Sequence, residues 1–322
     1  MTGPTIAILL PCFNEEAAIA QTVAGFRAVL PAAHIYVYDN NSSDKTIAVA
    51  RAAGATVRCE RIQGKGAVVR RMFADVDADI YVMADGDATY DAAAAPALVA
   101  RLIDEQLDMV VGARIHEAAE AYRRGHVLGN RMMSGILARL FGRSFSDIFS
   151  GYRVFSRRFV KSFPVLSAGF EIETEISVHA LELRLPTAEI ETRYFARIEG
   201  SASKLSTYRD GIRILRTIAT LYRIERPVWF FGLVAGVLLA LALLLAAPLV
   251  VTYLDTGLVP RFPTAILVTG LVILAALNLF AGLILDTVVR GRREVRRLAY
   301  LTYPAPGLEL TRASADVGGS RA

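Results

Sequence analysis

Cysteine is scarce in this 322-residue chain: Cys12 and Cys59 are the only two, too few for a disulfide scaffold. Tryptophan is represented by Trp229 alone, and lysine supplies only positions 45, 65, 161 and 204 of the 36 basic residues. Basic residues interleaved with aromatics along one face, as a nucleic-acid groove requires, do not occur, so no nucleic-acid partner is expected. Glycine and proline stand at ordinary levels, 24 and 12 residues, which excludes a collagen-like chain. Charged residues make up 21%, close to the soluble norm, yet 54% are hydrophobic and the mean hydropathy is +0.40. That apolar share excludes disorder and must be concentrated locally.

It is concentrated in residues 228–254 and 264–289. The first stretch has no Asp, Glu, Lys or Arg, and the second is interrupted only by Asn278 and, near its end, Asp286. As a helix the first reaches about 40 Å, more than the hydrocarbon core of a bilayer. Arg209, Arg213, Arg216, Arg223 and Arg226 precede the pair, Arg290, Arg292, Arg293, Arg296 and Arg297 follow it, and the connecting loop has only Arg261. The positive-inside rule then puts both ends in the cytoplasm, for a multi-pass protein of the inner (cytoplasmic) membrane. Residues 5–10 lack a basic leader, so no cleavable signal peptide is expected. The formal charge of +5 reads mainly as affinity for anionic membrane lipids.

Ile212, Leu215, Ile218 and Tyr222 recur at helical spacing opposite the arginines, which predicts an amphipathic interfacial helix. The expected organisation is a cytoplasmic domain over 1–207, the interfacial helix over 208–227, a two-helix transmembrane hairpin over 228–289 and a basic tail over 290–322, disordered at its end.

Within the first 207 residues, short apolar runs at 6–10, 35–38, 56–59, 80–84 and 109–111 predict strands. They alternate with helical patterns at 16–29, 46–53, 67–76 and 91–106. Alternation predicts an α/β fold, a mostly parallel sheet with helices on both faces, whose ligands bind at the carboxyl ends of the strands. Asp39 directly follows the second run, where a carboxylate can accept from a nucleobase N–H, whereas Ser42, Ser43 and Asp44 are explained by turn and cap roles. Asp85-Gly86-Asp87 ends the most apolar run. Other such strings, Asp75-Val76-Asp77 and Asp77-Ala78-Asp79, do not, so Asp85 and Asp87 are the candidates for holding a divalent ion on a diphosphate. Lys65, flanked by Gly64 and Gly66 at a helix start, suits an anion. Glu171, Glu173 and Glu175 read as acids opening a helix.

Taken in order, Leu10-Pro11-Cys12-Phe13-Asn14-Glu15-Glu16, the loop 37–46, Gly64-Lys65-Gly66, Asp85-Gly86-Asp87, Ser146-Asp147-Ile148-Phe149-Ser150-Gly151-Tyr152-Arg153 and Gly200-Ser201-Ala202-Ser203-Lys204 resemble glycosyltransferase family 2. The likeness is to its dolichyl-phosphate mannose synthase and bacterial polyprenyl-phosphate glycosyltransferase branch, over about residues 5–205. The resemblance implies a GT-A fold, Rossmann-like, that transfers a hexose with inversion from a nucleotide sugar to polyprenyl (undecaprenyl) phosphate. Pro11, Phe13, Glu15, Asp39, Lys65, Asp85 and Arg114 would bind the nucleotide sugar. Asp85 and Asp87 would hold Mg2+ or Mn2+. Asp147, with Asp87, would be catalytic, either removing a proton or orienting an arginine. Arg131, Arg153, Arg197, Ser203 and Lys204 would grip the acceptor phosphate. A UDP-linked donor is expected, and homo-oligomer formation stays open. Asn40, where the family commonly has a second aspartate, and Thr89, where some members have a third metal-site side chain, depart from the pattern. A processive polysaccharide synthase would carry a Q-x-x-R-W signature and more spans, and a non-catalytic nucleotide-sugar-binding scaffold would not need Asp85, Asp87, Asp147 and Lys204 together.

Overall fold

Central strands that are apolar on both faces organise the first part of the chain. The computed structural model describes residues 3–116, 132, 134–139, 141–142, 145–165, 169, 171–197, 220 and 223–306. The described elements are β1 (Ile6–Cys12), α1 (Ile19–Val29), β2 (His34–Asp39), α2 (Thr46–Ala52), β3 (Thr56–Cys59), α3 (Lys65–Asp75), β4 (Ile80–Met83), α4 (Ala95–Asp104), β5 (Met109–His116), β6 (Arg153–Ser156), α5 (Arg157–Ser162), α6 (Ile172–Glu182), β7 (Thr187–Tyr194), α7 (Pro227–Thr256) and α8 (Phe262–Leu301). Arg131, Ser203 and Lys204, and most of the expected interfacial helix, lie outside the described residues.

Seven strands form one sheet in the order β3-β2-β1-β4-β6-β5-β7. All pairings are parallel except those of β6, which runs antiparallel to β4 and β5. The expected mostly parallel sheet is present. β4 is buried at every position and β1 at all but its first, as befits strands covered on both faces. On α4, Ala95, Leu98, Val99 and Leu102 make the buried stripe; on α1 it is Ile19, Thr22, Val23 and Phe26. The chain leaves β1 toward β2 and β3 on one side and returns to β4 on the other. This topological switch opens a crevice at the carboxyl ends of β1 and β4, where Pro11 and Asp85 stand.

Two strands were not among the expected ones. β6 has only Val154 and Phe155 as an apolar run, too short for a periodic signal. β7 does alternate, with Ala188, Ile190, Thr192 and Tyr194 on one side, and pairs with β5 over eight positions.

The chain divides into two compact units, Met1–Gly211 with Arg296–Ala322, and Ile212–Val295. In the second, α7 and α8 are long and apolar enough to cross a membrane, and the most apolar window of each is only 11% buried. A core helix of a soluble domain would be mostly buried, so this outward apolar surface suits lipid. A Cβ on Gly282 would lie 3.1 Å from Phe231 Cβ and 3.3 Å from Val228 Cα, the close backbone approach typical of membrane helix pairs. Arg293 Nη2 pairs with the buried Glu225 at 2.9 Å.

The basic run after 289 continues α8 to Leu301. In the first unit, Arg296 pairs with Glu182 at 2.6 Å, and the Tyr300 hydroxyl donates to the fully buried Asp108 at 2.9 Å. Arg158, also on Asp108, lies 4.8 Å from the centre of the Tyr300 ring.

Candidate active site

The loops after β1 and β2 are laced together by short polar side chains. Asn14, at φ 53°, accepts from Ser43 N at 2.8 Å, while Ser42 Oγ accepts from Asn14 N at 2.9 Å. Asp44 accepts from Thr46 N at 2.9 Å and from Glu16 N at 3.1 Å. Ser42, Ser43 and Asp44 therefore hold the turn between β2 and α2. Asp39 is different: 2% exposed, it accepts from Ser42 N through Oδ2 at 3.0 Å, while its buried Oδ1 finds no hydrogen-bond partner among the described residues. An orphaned buried carboxylate oxygen is costly unless a ligand donor satisfies it.

Asn40 is accounted for by its two kinds of hydrogen-bonding atom. Its Nδ2 donates to Glu60 O at 3.0 Å and Ile62 O at 2.8 Å, and its Oδ1 accepts from Gly64 N at 2.7 Å. Gly64, at φ 132°, turns the chain into α3. An aspartate could not donate, so Asn40→Asp is expected to lower stability by about 1–3 kcal/mol. Thermal denaturation checks it; an unchanged melting temperature would show that the amide holds nothing.

Asp85 and Asp87 face a cleft of about 260 Å³ whose walls include Pro11, Phe13, Glu15, Asn40, Lys65 and Arg197. The residue between them must be glycine, since a Cβ there would fall 2.3 Å from Cys12 Sγ. Asp87, 2% exposed, accepts from Thr89 Oγ1 at 2.6 Å and pairs with Arg197 Nη2 at 2.8 Å. Burial and the neighbouring Asp85 charge push its carboxyl above the usual range, against Thr89 and Arg197. Thr89, a departure at sequence level, thus supports Asp87 from behind.

Lys65 Nζ sits 2.5 Å from Asp85 Oδ1 and 2.6 Å from Glu173 Oε1. Burial disfavours its charge, but the two carboxylates outweigh burial and hold the ammonium ionised above its ordinary range. Its charge is thus engaged by side chains, and Glu173 is more than a helix-opening acid. No sequence signal pointed there, because Glu173 and Lys65 meet only through the packing of α6 on α3.

A second pair lies apart from the lining of that cleft. Arg114 donates through Nε and Nη2 to the two oxygens of Asp147 at 2.6 and 2.8 Å, and its own N–H donates to Asp147 at 3.2 Å. Its guanidinium carbon is 5.3 Å from the centre of the Tyr194 ring. Burial alone would raise the Asp147 pKa, but the hydrogen bonds and charge of Arg114 bring it below the usual carboxylate range. Asp147 is thus held ionised by Arg114, to which it is bonded through both carboxylate oxygens.

Arg153 requires a correction. It is fully buried and donates to Ser150 O at 2.9 Å and Ile148 O at 2.6 Å, with Met109 Sδ at 3.5 Å. Burial pulls its pKa down to about 10. A side chain spent on main-chain carbonyls beneath the 146–150 segment shapes that segment and does not grip an acceptor phosphate. Arg197, expected at the acceptor phosphate, lines the cleft and pairs with Asp87. Asp39, Arg114 and Asp147 are not among the lining residues.

Among the described residues no group of three or more His, Cys, Asp or Glu gathers at one point. Two hard carboxylates on a cleft wall fit Mg2+ or Mn2+, ions that complete their shells with water and phosphate oxygens.

A doubly wound sheet with an acidic pair at its switch point defines a GT-A type transferase domain. Residues 7–163 match the model of glycosyl transferase family 2. The chain is 31% identical over 295 residues to glycosyltransferase AglJ of Haloferax volcanii, covering 91% of this chain and 96% of that protein. It is 26% identical over 225 residues to a dolichyl-phosphate hexose transferase of the same organism, covering 70% and 97%. The crystal structure of Mycobacterium tuberculosis glucosyl-3-phosphoglycerate synthase with phosphoglyceric acid superposes with a TM-score of 0.57 at 25% identity, over 68% of this chain and 79% of that one. The same enzyme with Mn2+, uridine diphosphate and phosphoglyceric acid gives a TM-score of 0.56 at 23% identity, over 68% and 78%. The chain belongs to glycosyltransferase family 2, and is a glycosyltransferase.

Proposed function

We propose that this enzyme transfers a hexose, with inversion, from a UDP-linked sugar to the phosphate of a polyprenol such as undecaprenyl phosphate. The observation that carries the reading is the joining, in one chain, of a cleft bearing Asp85 and Asp87 to two helices apolar enough to span a bilayer. A lipid-borne acceptor gives those helices a purpose beyond anchorage. The likeness to a dolichyl-phosphate hexose transferase supports the acceptor, and the mycobacterial enzyme's uridine diphosphate and Mn2+ support donor and metal. The arginines flanking the helices support a cytoplasmic catalytic domain and termini at the inner membrane.

In this reading Asp39 Oδ1 accepts from the base N–H, and Pro11, Phe13 and Glu15 line the nucleoside pocket. Asp85 and Asp87 would hold Mg2+ or Mn2+, which when bound offsets the charge that develops on the leaving diphosphate. An acceptor phosphate oxygen attacks the anomeric carbon as the bond to the diphosphate breaks, releasing the nucleoside diphosphate. That acceptor is already ionised near neutral pH, so no strong base is required. Asp147 fixes Arg114 as a rigid cation for a phosphate, and Arg131, Arg197, Ser203 and Lys204 complete the phosphate contacts.

Purified protein incubated with undecaprenyl phosphate, Mn2+ and UDP- or GDP-linked sugars is expected to give a hexosyl-phosphoryl lipid by mass spectrometry, abolished by a chelator. Transfer to 3-phosphoglycerate or a glycan but never to the lipid would overturn the acceptor. Absence of nucleoside diphosphate release with every donor would favour the non-catalytic scaffold.

A further inference from the structure

Glu173 stands in the first turn of α6 and is 5% exposed. It is linked to Asp85 through Lys65, whose ammonium lies 2.6 Å from Glu173 Oε1 and 2.5 Å from Asp85 Oδ1. The lysine and Glu173 side chains are 10% and 6% exposed, whereas that of Asp85 is 30% exposed and open to the cleft. The backbone closes over the pair from the other side: a Cβ at Gly151 would lie 3.0 Å from Asp85 Oδ2 and 3.1 Å from Lys65 Nζ. Lys65 therefore has little room to swing, and its charge is divided between two carboxylates by position.

This division matters for any cation that Asp85 is to bind. A buried ammonium with one carboxylate partner would form a tight pair with it and compete with a divalent ion for the same oxygens. With a second carboxylate on Lys65, the network of three groups carries one net negative charge, and that charge is exposed only at Asp85.

We propose that Glu173 is a positioning residue: by sharing the charge of Lys65, it lets that lysine orient Asp85 without neutralising it, and so sets the affinity of Asp85 for a divalent cation. The proposal rests on the reading of Asp85 and Asp87 as the metal-holding pair. It is tested by Mn2+ titration of the full-length protein in detergent, followed by electron paramagnetic resonance at saturating UDP. Glu173→Gln is expected to weaken Mn2+ binding about 10-fold, the scale of one partly buried charge. Added to Lys65→Met, the same substitution is expected to change nothing further, because Glu173 acts only through the lysine. Equal Mn2+ affinity in wild type and Glu173→Gln overturns the proposal, as does a further loss on adding Glu173→Gln to Lys65→Met. If Glu173→Gln alone fails to fold, the comparison of Lys65→Met with the double variant decides: equality supports the proposal and a difference overturns it. Wild-type protein that binds no Mn2+ overturns the metal reading itself, and is thereby told apart from a failure of Glu173 alone.

Discussion

Asp87→Asn is expected to lower kcat by about 1,000-fold, the loss typical when a charge aimed at the developing transition state is removed. The side chain is held on both sides: Thr89 Oγ1 donates to Oδ1 at 2.6 Å, and Arg197 meets Oδ2 at 2.8 Å. Asparagine keeps the volume but loses the negative charge, so in the proposed reading a divalent ion would lose a hard anionic ligand, and Arg197 loses its ion pair with Asp87. Asp77 provides the contrast. It stands in the same kind of acidic string, yet its side chain is 63% exposed and pairs with Arg157 at the surface. Asp77→Asn is expected to leave turnover unchanged and to shift stability by less than about 0.5 kcal/mol. Steady-state kinetics with a thermal melt on each variant checks both; equal losses in the two would show that position in the fold does not separate them.

Asp147→Asn should cost more in stability than in most single substitutions, about 3–5 kcal/mol, because it strands the Arg114 guanidinium without its counter-charge. Arg114 is bidentate to Asp147 and lies over Tyr194, so Arg114→Lys, which keeps the charge but neither the fork nor the stacking, is expected to lower kcat/KM by about 100-fold. The pH dependence separates an orienting group from a base. The folded pKa of Asp147 lies below the ordinary value of 3.8. Its ion pair therefore contributes stability that is fully present above that value and is lost as pH falls through the lower, folded one. Asp147 is ionised throughout the neutral range and contributes no acid limb above about pH 5. A limb in the pH–rate profile between about pH 5 and 7 that vanished in Asp147→Asn would make it a base after all.

How far the site could be read in advance follows from how local each signal is. Asp85 and Asp87 were legible because they end the most apolar run of the domain, and a strand in the centre of a parallel sheet leads to the crevice. Asp39 ends β2 in the same sheet, and its buried Oδ1, without a hydrogen-bond partner among the described residues, could be found only in three dimensions. The arginines were not legible. Arg114, Arg153 and Arg197 look alike along the chain, and burial is what distinguishes them: one is locked to Asp147, one is spent on carbonyls, and one lines the cleft on Asp87.

The amino-acid sequence by itself determined the alternation of strands and helices, the acidic pair at a strand end, and two apolar stretches long enough to cross a bilayer, because each is written in consecutive or periodic residues. The tertiary structure decided the rest: the antiparallel β6 inserted between β4 and β5, the continuation of α8 through its arginines to Leu301, the Arg114–Asp147 pair and the bridge from Glu173 through Lys65 to Asp85. These depend on which side chains packing brings together and which it removes from water. A buried charge is compensated by whatever lies nearest in space, and separation along the chain has no bearing on that choice.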